Sequence, residues 1–106
     1  MTNETLETIK KRRSCRAYKP EQITDEELNA VLEAGTYAAS AMGRQSAKIV
    51  VVQDAATRAQ LTRMNAAVMG TNNDPMYAAP TILVVLADAN SKNAVQDGSL
   101  VMGNLM

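Results

Sequence analysis

Only two stretches of this chain have the composition of a sheet interior. One is Ile49–Val52 within AKIVVVQD and the other is Thr81–Leu86 within PTILVVLAD. Both are unbroken β-branched and aliphatic runs flanked by polar residues, the pattern of strands covered on both faces. Two strands make a marginal sheet, so helices must supply the cover. The core must also be aliphatic: the chain has three Tyr, no Phe and no Trp, and leaves Leu, Val, Ile, Ala and seven Met to fill it.

The helices can be read from their periodicity and caps. Thr2–Arg13 has Leu6 and Ile9 three apart, with Thr2 or Asn3 as cap and cations at the end that suits the helix dipole. Pro20 then disfavours helical geometry at Lys19. Thr24 to Glu27 has the form of a capping box, and the helix after it is expected to bury Leu28, Val31 and Leu32 and to end near Gly35. Asp54 can cap a helix over Ala55–Met69, with Leu61, Met64 and Val68 at helical spacing. GTNNDPM, from Gly70 to Met76, is a loop. A last helix occupies Asn93–Met106, with Val101 and Leu105 four apart. The order helix, helix, strand, helix, strand, helix is an α/β or α+β pattern. The apolar pattern SLVMGNLM reaches the last residue without a stop signal, so the chain is expected to belong to a larger fold or to complete itself with another chain.

Several function classes recede. Lys and Arg number 11, as do Asp and Glu, so the formal net charge is zero and a general nucleic-acid binder is not expected. A single Cys rules out an internal disulfide framework, and the absence of His removes the commonest metal ligand and general base. No metal site and no membrane span is expected, since no apolar run approaches the roughly 18 residues a span needs. The N-terminus has no apolar signal region, and the expected location is the cytoplasm.

Against that neutral background KKRRSCRAYKP, Lys10–Pro20, puts six cations into eleven residues. Arginine's planar fork suits a phosphate better than a lysine point charge does, but a solvated helix end would look the same. Three later stretches decide. AASAMGRQSAKIVVVQD (Ala38–Asp54), YAAPTILVVLAD (Tyr77–Asp88) and DGSLVMGNLM (Asp97–Met106) follow RRSCRAY (Arg12–Tyr18) in order and spacing. Together the four motifs resemble the nitroreductase family of flavin enzymes, over essentially the whole chain.

The resemblance implies an α+β fold, a nitroreductase-like three-layer α/β/α sandwich of which this chain is about half, ending in the central dimer-interface helix. It implies FMN as cofactor. Arg12, Ser14 and Arg16, with Arg13 adjacent, would hold the phosphate and ribityl chain. Ala39, Ser40, Ala41, Gly43 and Gln45 would reach the flavin, and Asn65 would be a further contact, with Asn72 and Asn73 competing for that role. No residue has a catalytic acid or base role, because the flavin N5 accepts and donates hydride. NAD(P)H would be the reductant and a nitroaromatic, quinone or related small molecule the acceptor, in a homodimer with the flavin at the subunit interface. Cys15 reads as filler; Asp97 and Asn104 read as helix and interface residues. Two departures from the family pattern stand out: Gly43 replaces an Asn, leaving a backbone amide there, and Ser46–Ala47 replaces Pro-Trp. The competing readings are a non-catalytic module of the same fold that does not hold flavin, and a small nucleic-acid binder using the basic segment.

Overall fold

Short polar side chains set where three of the four α-helices begin. The computed structural model describes residues 1–106. Helix α1, Glu4–Lys11, starts at Asn3, whose side chain accepts the Leu6 N–H at 2.9 Å. Helix α2, Asp25–Thr36, carries the complete capping box: the Thr24 hydroxyl accepts the Glu27 N–H at 3.2 Å, and the Glu27 carboxylate accepts the Thr24 N–H at 3.1 Å. Helix α3, Ala55–Met69, starts at Asp54, which accepts both the N–H and the hydroxyl of Thr57, and stops at Gly70 in the left-handed region at φ 66°. Helix α4, Ala94–Leu105, follows Asn93, whose side chain forms no cap bond. Helix α1 is shorter than the expected Thr2–Arg13. It ends at Lys11, and Arg12 is extended at φ −53°, ψ 134°. The basic segment from Arg12 onward therefore lies outside the helix.

Strands β1, Lys48–Val52, and β2, Ile82–Leu86, fall on the two expected runs. They pair antiparallel, with Lys48 opposite Leu86 and Val52 opposite Ile82. Side chains alternate between faces, so Ile49, Val51, Leu83 and Val85 share one face. On that side α2 brings Gly35 against Ile49, and α4 brings Gly98 near Val85. The other face carries Val50, Val52, Ile82 and Val84. There α3 lies beside Ile82, and its Arg58 guanidinium donates to the Ala79 carbonyl at 3.3 Å. The layers run α2 with α4, then the sheet, then α3, the three-layer arrangement the sequence implies.

Enclosure is less complete than the strand composition suggests. The expected buried strands are only half-covered: Val50 is 41% and Leu86 50% exposed, and no apolar side chain is fully buried. Leu28, Val31 and Leu32 are half-buried. On α3 only Leu61 of the expected apolar stripe is half-buried, while Met64 and Val68 face outward. The physical reason is how the helices pack: α2 and α4 lie more against each other than against the strands, and α3 meets the sheet only near Ile82. The fully enclosed residues are Gly35, Asp97 and Gly98, all at the contacts of α2 and α4 with each other and with the sheet.

Candidate functional site

The segment between α2 and β1 is a tight turn with an unusual backbone. Ala41–Gly43 forms a single 3-10 turn, and Met42, Gly43 and Gln45 all lie in the left-handed region, at φ 54°, 63° and 49°. A non-glycine residue there costs roughly 1–2 kcal/mol, so surrounding bonds must hold it. They do. The Gly43 N–H donates to the Ser40 carbonyl at 3.1 Å and the Arg44 N–H to the Ala41 carbonyl at 3.2 Å. The Gln45 N–H donates to Ser40 Oγ at 3.0 Å, and Gln45 Nε2 donates to the Thr36 carbonyl at 3.0 Å. The Gly43 amide, expected to be left for a ligand, is used inside the turn. What the turn presents instead is the Ser40 hydroxyl as a donor and Gln45 Oε1 as an acceptor.

One bond reaches this turn from far along the chain. The Ala41 N–H donates to Asp97 Oδ1 at 2.9 Å, and Asp97, in the first turn of α4, is only 4% exposed. Ser40, Gln45 and Asp97 line one open cavity of about 400 Å³, floored by Ala47, Ile49 and Val101. That volume lies within the usual range of small-molecule sites. Asp97 is the residue that sequence reasoning missed. The available signal was an acidic side chain in the first turn of a helix, which says nothing of a partner 56 positions away. Asn104, further along α4, donates from Nδ2 to the Ala34 carbonyl at 2.9 Å and so ties α4 to α2.

Every residue of the basic segment is exposed. Arg13 turns back, its Nη1 donating to the carbonyls of Lys10 and Arg12, each at 2.8 Å. Arg12 and Arg16 meet no carboxylate; the chain's one ion pair is Lys10 with Glu7 at 3.6 Å, exposed and worth little. Arg12 lines a groove with Thr8, Ile9, Gly103 and Met106. Helix α4 thus relates the two constellations. Asp97 anchors the Ser40–Gln45 turn at one end and Gly103 borders the Arg12 groove at the other, about 9 Å apart along the axis at 1.5 Å per residue. Asn65 is not brought to either. It sits exposed on α3, across the sheet, with Nδ2 donating to the Leu61 carbonyl at 2.8 Å. Asn72 and Asn73 are exposed in the loop after α3.

A second aspartate organises the turn before β2. Asp74 accepts the N–H groups of Met76 at 2.8 Å and Ala78 at 2.7 Å, which steadies Tyr77 and Ala78 at φ 52° and 55°. These backbone bonds hold its carboxyl below the ordinary value of 3.8.

Comparison with known proteins places this arrangement. The family model for the nitroreductase family matches residues 9–76. No curated protein matches the chain. Among solved structures, a nitroreductase with bound FMN from Bacteroides fragilis NCTC 9343 is 33% identical, superposes with a TM-score of 0.85, and is matched over 98% of this chain and 63% of its own. An FMN-dependent nitroreductase from Clostridium difficile R20291 is 32% identical with a TM-score of 0.83, over 97% of this chain and 53% of its own. A nitroreductase with bound FMN from Desulfitobacterium hafniense DCB-2 is 29% identical with a TM-score of 0.86, over 99% and 63%. The chain therefore spans between half and two thirds of the length of these structures. The family match runs from α1 through the Ser40–Gln45 turn to the loop after α3, and the same fold continues through β2 and α4. This chain belongs to the nitroreductase family.

Proposed function

We propose that the chain is part of an FMN-dependent oxidoreductase that takes electrons from NAD(P)H and passes them to a nitroaromatic, a quinone or a related small acceptor. The observation that carries the reading is the match in fold, over nearly the whole chain, to nitroreductases that hold FMN. The residues present suit such a ligand. Arg12 and Arg16 are exposed cations with no carboxylate partner; with the Ser14 hydroxyl they would take the phosphate and ribityl end. Arg13 adds charge beside them, although its guanidinium is turned onto backbone carbonyls. Ser40 and Gln45 would meet the ring through a hydroxyl and an amide oxygen, on a backbone kept slim by Ala39, Ala41 and Gly43. Asn65 is the least supported contact, being across the sheet. When bound, FMN supplies hydride acceptance and donation at its N5, so the chain's own work is to bind, orient and exclude water. We further propose a homodimer with the flavin at the subunit interface, working in the cytoplasm; no helix is long and apolar enough to cross a membrane.

A second reading is a non-catalytic module of the same fold that holds no flavin. It is favoured by the use of the Gly43 amide within its own turn.

A flavin-fluorescence titration with FMN and with riboflavin separates the two. Each charge-assisted contact to the phosphate contributes roughly 1.5–3 kcal/mol, so Arg16→Ala should weaken FMN by about one to two powers of ten. Riboflavin, lacking the phosphate, should bind poorly and be indifferent to the substitution. Equal affinity for both flavins, or an equal loss for both, would assign the cluster another role. No binding of either would favour the module.

A further inference from the structure

Asp97 is an enclosed carboxylate with no cationic partner. Burying such a group is expensive unless hydrogen bonds or dipoles meet its charge. Here it is met by the Ala41 N–H at 2.9 Å and by its place in the first turn of α4, where the helix dipole favours an anion. We propose that Asp97 is a positioning residue: its bond to Ala41 sets where the Ser40–Gln45 turn sits on α4, and so where the Ser40 hydroxyl and Gln45 Oε1 stand relative to Arg12. This rests on the flavin reading for its consequence, though not for the contact itself.

The reach of each bond carries the argument. The hydrogen bonds among Thr36, Ser40, Ala41, Gly43, Arg44 and Gln45 join residues at most nine apart. Such bonds shape the turn and tie it to the end of α2, but none of them reaches α4. The Ala41 bond to Asp97 joins residues 56 apart and belongs to a different helix. Met42 and Gln45, two non-glycine residues in the left-handed region, store strain that persists only where the surroundings over-determine it. A charge-assisted bond from an enclosed group is the strongest available means of doing so. Because α4 also borders the Arg12 groove through Gly103, the same helix holds both ends of the candidate site in register.

Three variants of the full chain test this. Asp97→Ala removes the acceptor and Asp97→Asn retains a side-chain oxygen that can accept the same N–H. Ala41→Pro removes the donor from the opposite side at the first position of the 3-10 turn, where proline is tolerated, after a Ser40 already extended at ψ 154°. Amide hydrogen exchange is measured without flavin. In Asp97→Ala and Ala41→Pro, exchange at Gly43–Gln45 should accelerate roughly ten-fold or more while α3 is unchanged; Asp97→Asn should stay within about three-fold of the native chain. In the FMN titration, Asp97→Ala should lose about ten-fold or more in affinity, and Asp97→Asn should recover most of it. If Asp97→Ala does not fold, Ala41→Pro carries the comparison. Native exchange rates in both disrupting variants, or Asp97→Asn behaving as Asp97→Ala does, overturn the proposal. Accelerated exchange in a chain that binds no FMN would uphold the positioning role and overturn the flavin reading.

Discussion

A Cβ built on Gly35 would lie 2.6 Å from Leu105 Cδ2 and 2.8 Å from Ile49 Cδ1. The absence of a side chain there lets α2 approach both α4 and β1. Gly35→Val should therefore destabilise the fold by about 1–3 kcal/mol through overpacking, read as a lowered midpoint in urea. Gly98→Ala is the control, because its Cβ would meet Ala87 Cβ at an ordinary 3.4 Å. Two carboxylates define a pH dependence at the same scale. Hydrogen bonds from the Thr57 hydroxyl and N–H hold Asp54 below the ordinary 3.8, and the Met76 and Ala78 amides do the same for Asp74. The unfolded chain then binds these protons more readily than the folded one. The stability they contribute is complete above about pH 3.8 and is lost as pH falls through their lowered folded values. Thermal unfolding followed from pH 6 to pH 2 should show a shallower decline in Asp54→Asn/Asp74→Asn than in the native chain; parallel curves would rule out this origin.

At the scale of elements, the four helices are unequally secured. Helix α2 has a reciprocal cap at Thr24 and Glu27 and a side-chain tie from Asn104. Thr24→Ala should cost about 1 kcal/mol, measurable by chemical denaturation, and Thr24→Ser, which keeps the capping hydroxyl, should retain most of the native stability; an unchanged midpoint in Thr24→Ala would show that packing alone sets the start of α2. The capping signals were legible because each is a local matter of one side chain and a backbone N–H three residues on. Helix α1 shows the limit of that reading. Its basic run extends to Arg13, but the helix stops at Lys11, because charge at a helix end is compatible with either conformation. The strands were likewise legible as strands from composition. Their pairing was not, since an antiparallel register from Lys48–Leu86 to Val52–Ile82 depends on how the chain returns through α3.

For the whole molecule, surface area is the informative quantity. A compact chain of 11.4 kDa would expose about 5,800 Å², whereas this one exposes 8218 Å². The radius of gyration, 15.4 Å, exceeds the roughly 13 Å expected for its length. Large apolar side chains contribute to it: Val68 is 88% and Val95 77% exposed. Exposed apolar faces of this extent drive association. Sedimentation at micromolar concentration should therefore show a dimer or larger species, with strong binding of a hydrophobic dye to any dissociated chain. A stable monomer that binds no dye would contradict both the exposure and the proposed homodimer.

The sequence by itself determined the elements, the caps of α1, α2 and α3, the family motifs and the presence of a basic segment, because each rests on neighbours within a few residues. Tertiary structure alone decided what those residues do to one another. Helix α2 ends near Gly35, as its sequence predicts, but the sequence does not show that Gly35 is kept free of a side chain by Leu105, seventy positions away. Gly43 reads as an available amide, yet the turn uses it. Asp97 reads as an ordinary first-turn acid, yet it is the enclosed carboxylate that ties α4 to the Ser40–Gln45 turn. Pattern and propensity are local properties of the chain. Enclosure, hydrogen-bond partnership and close helix approach join residues that only folding brings together.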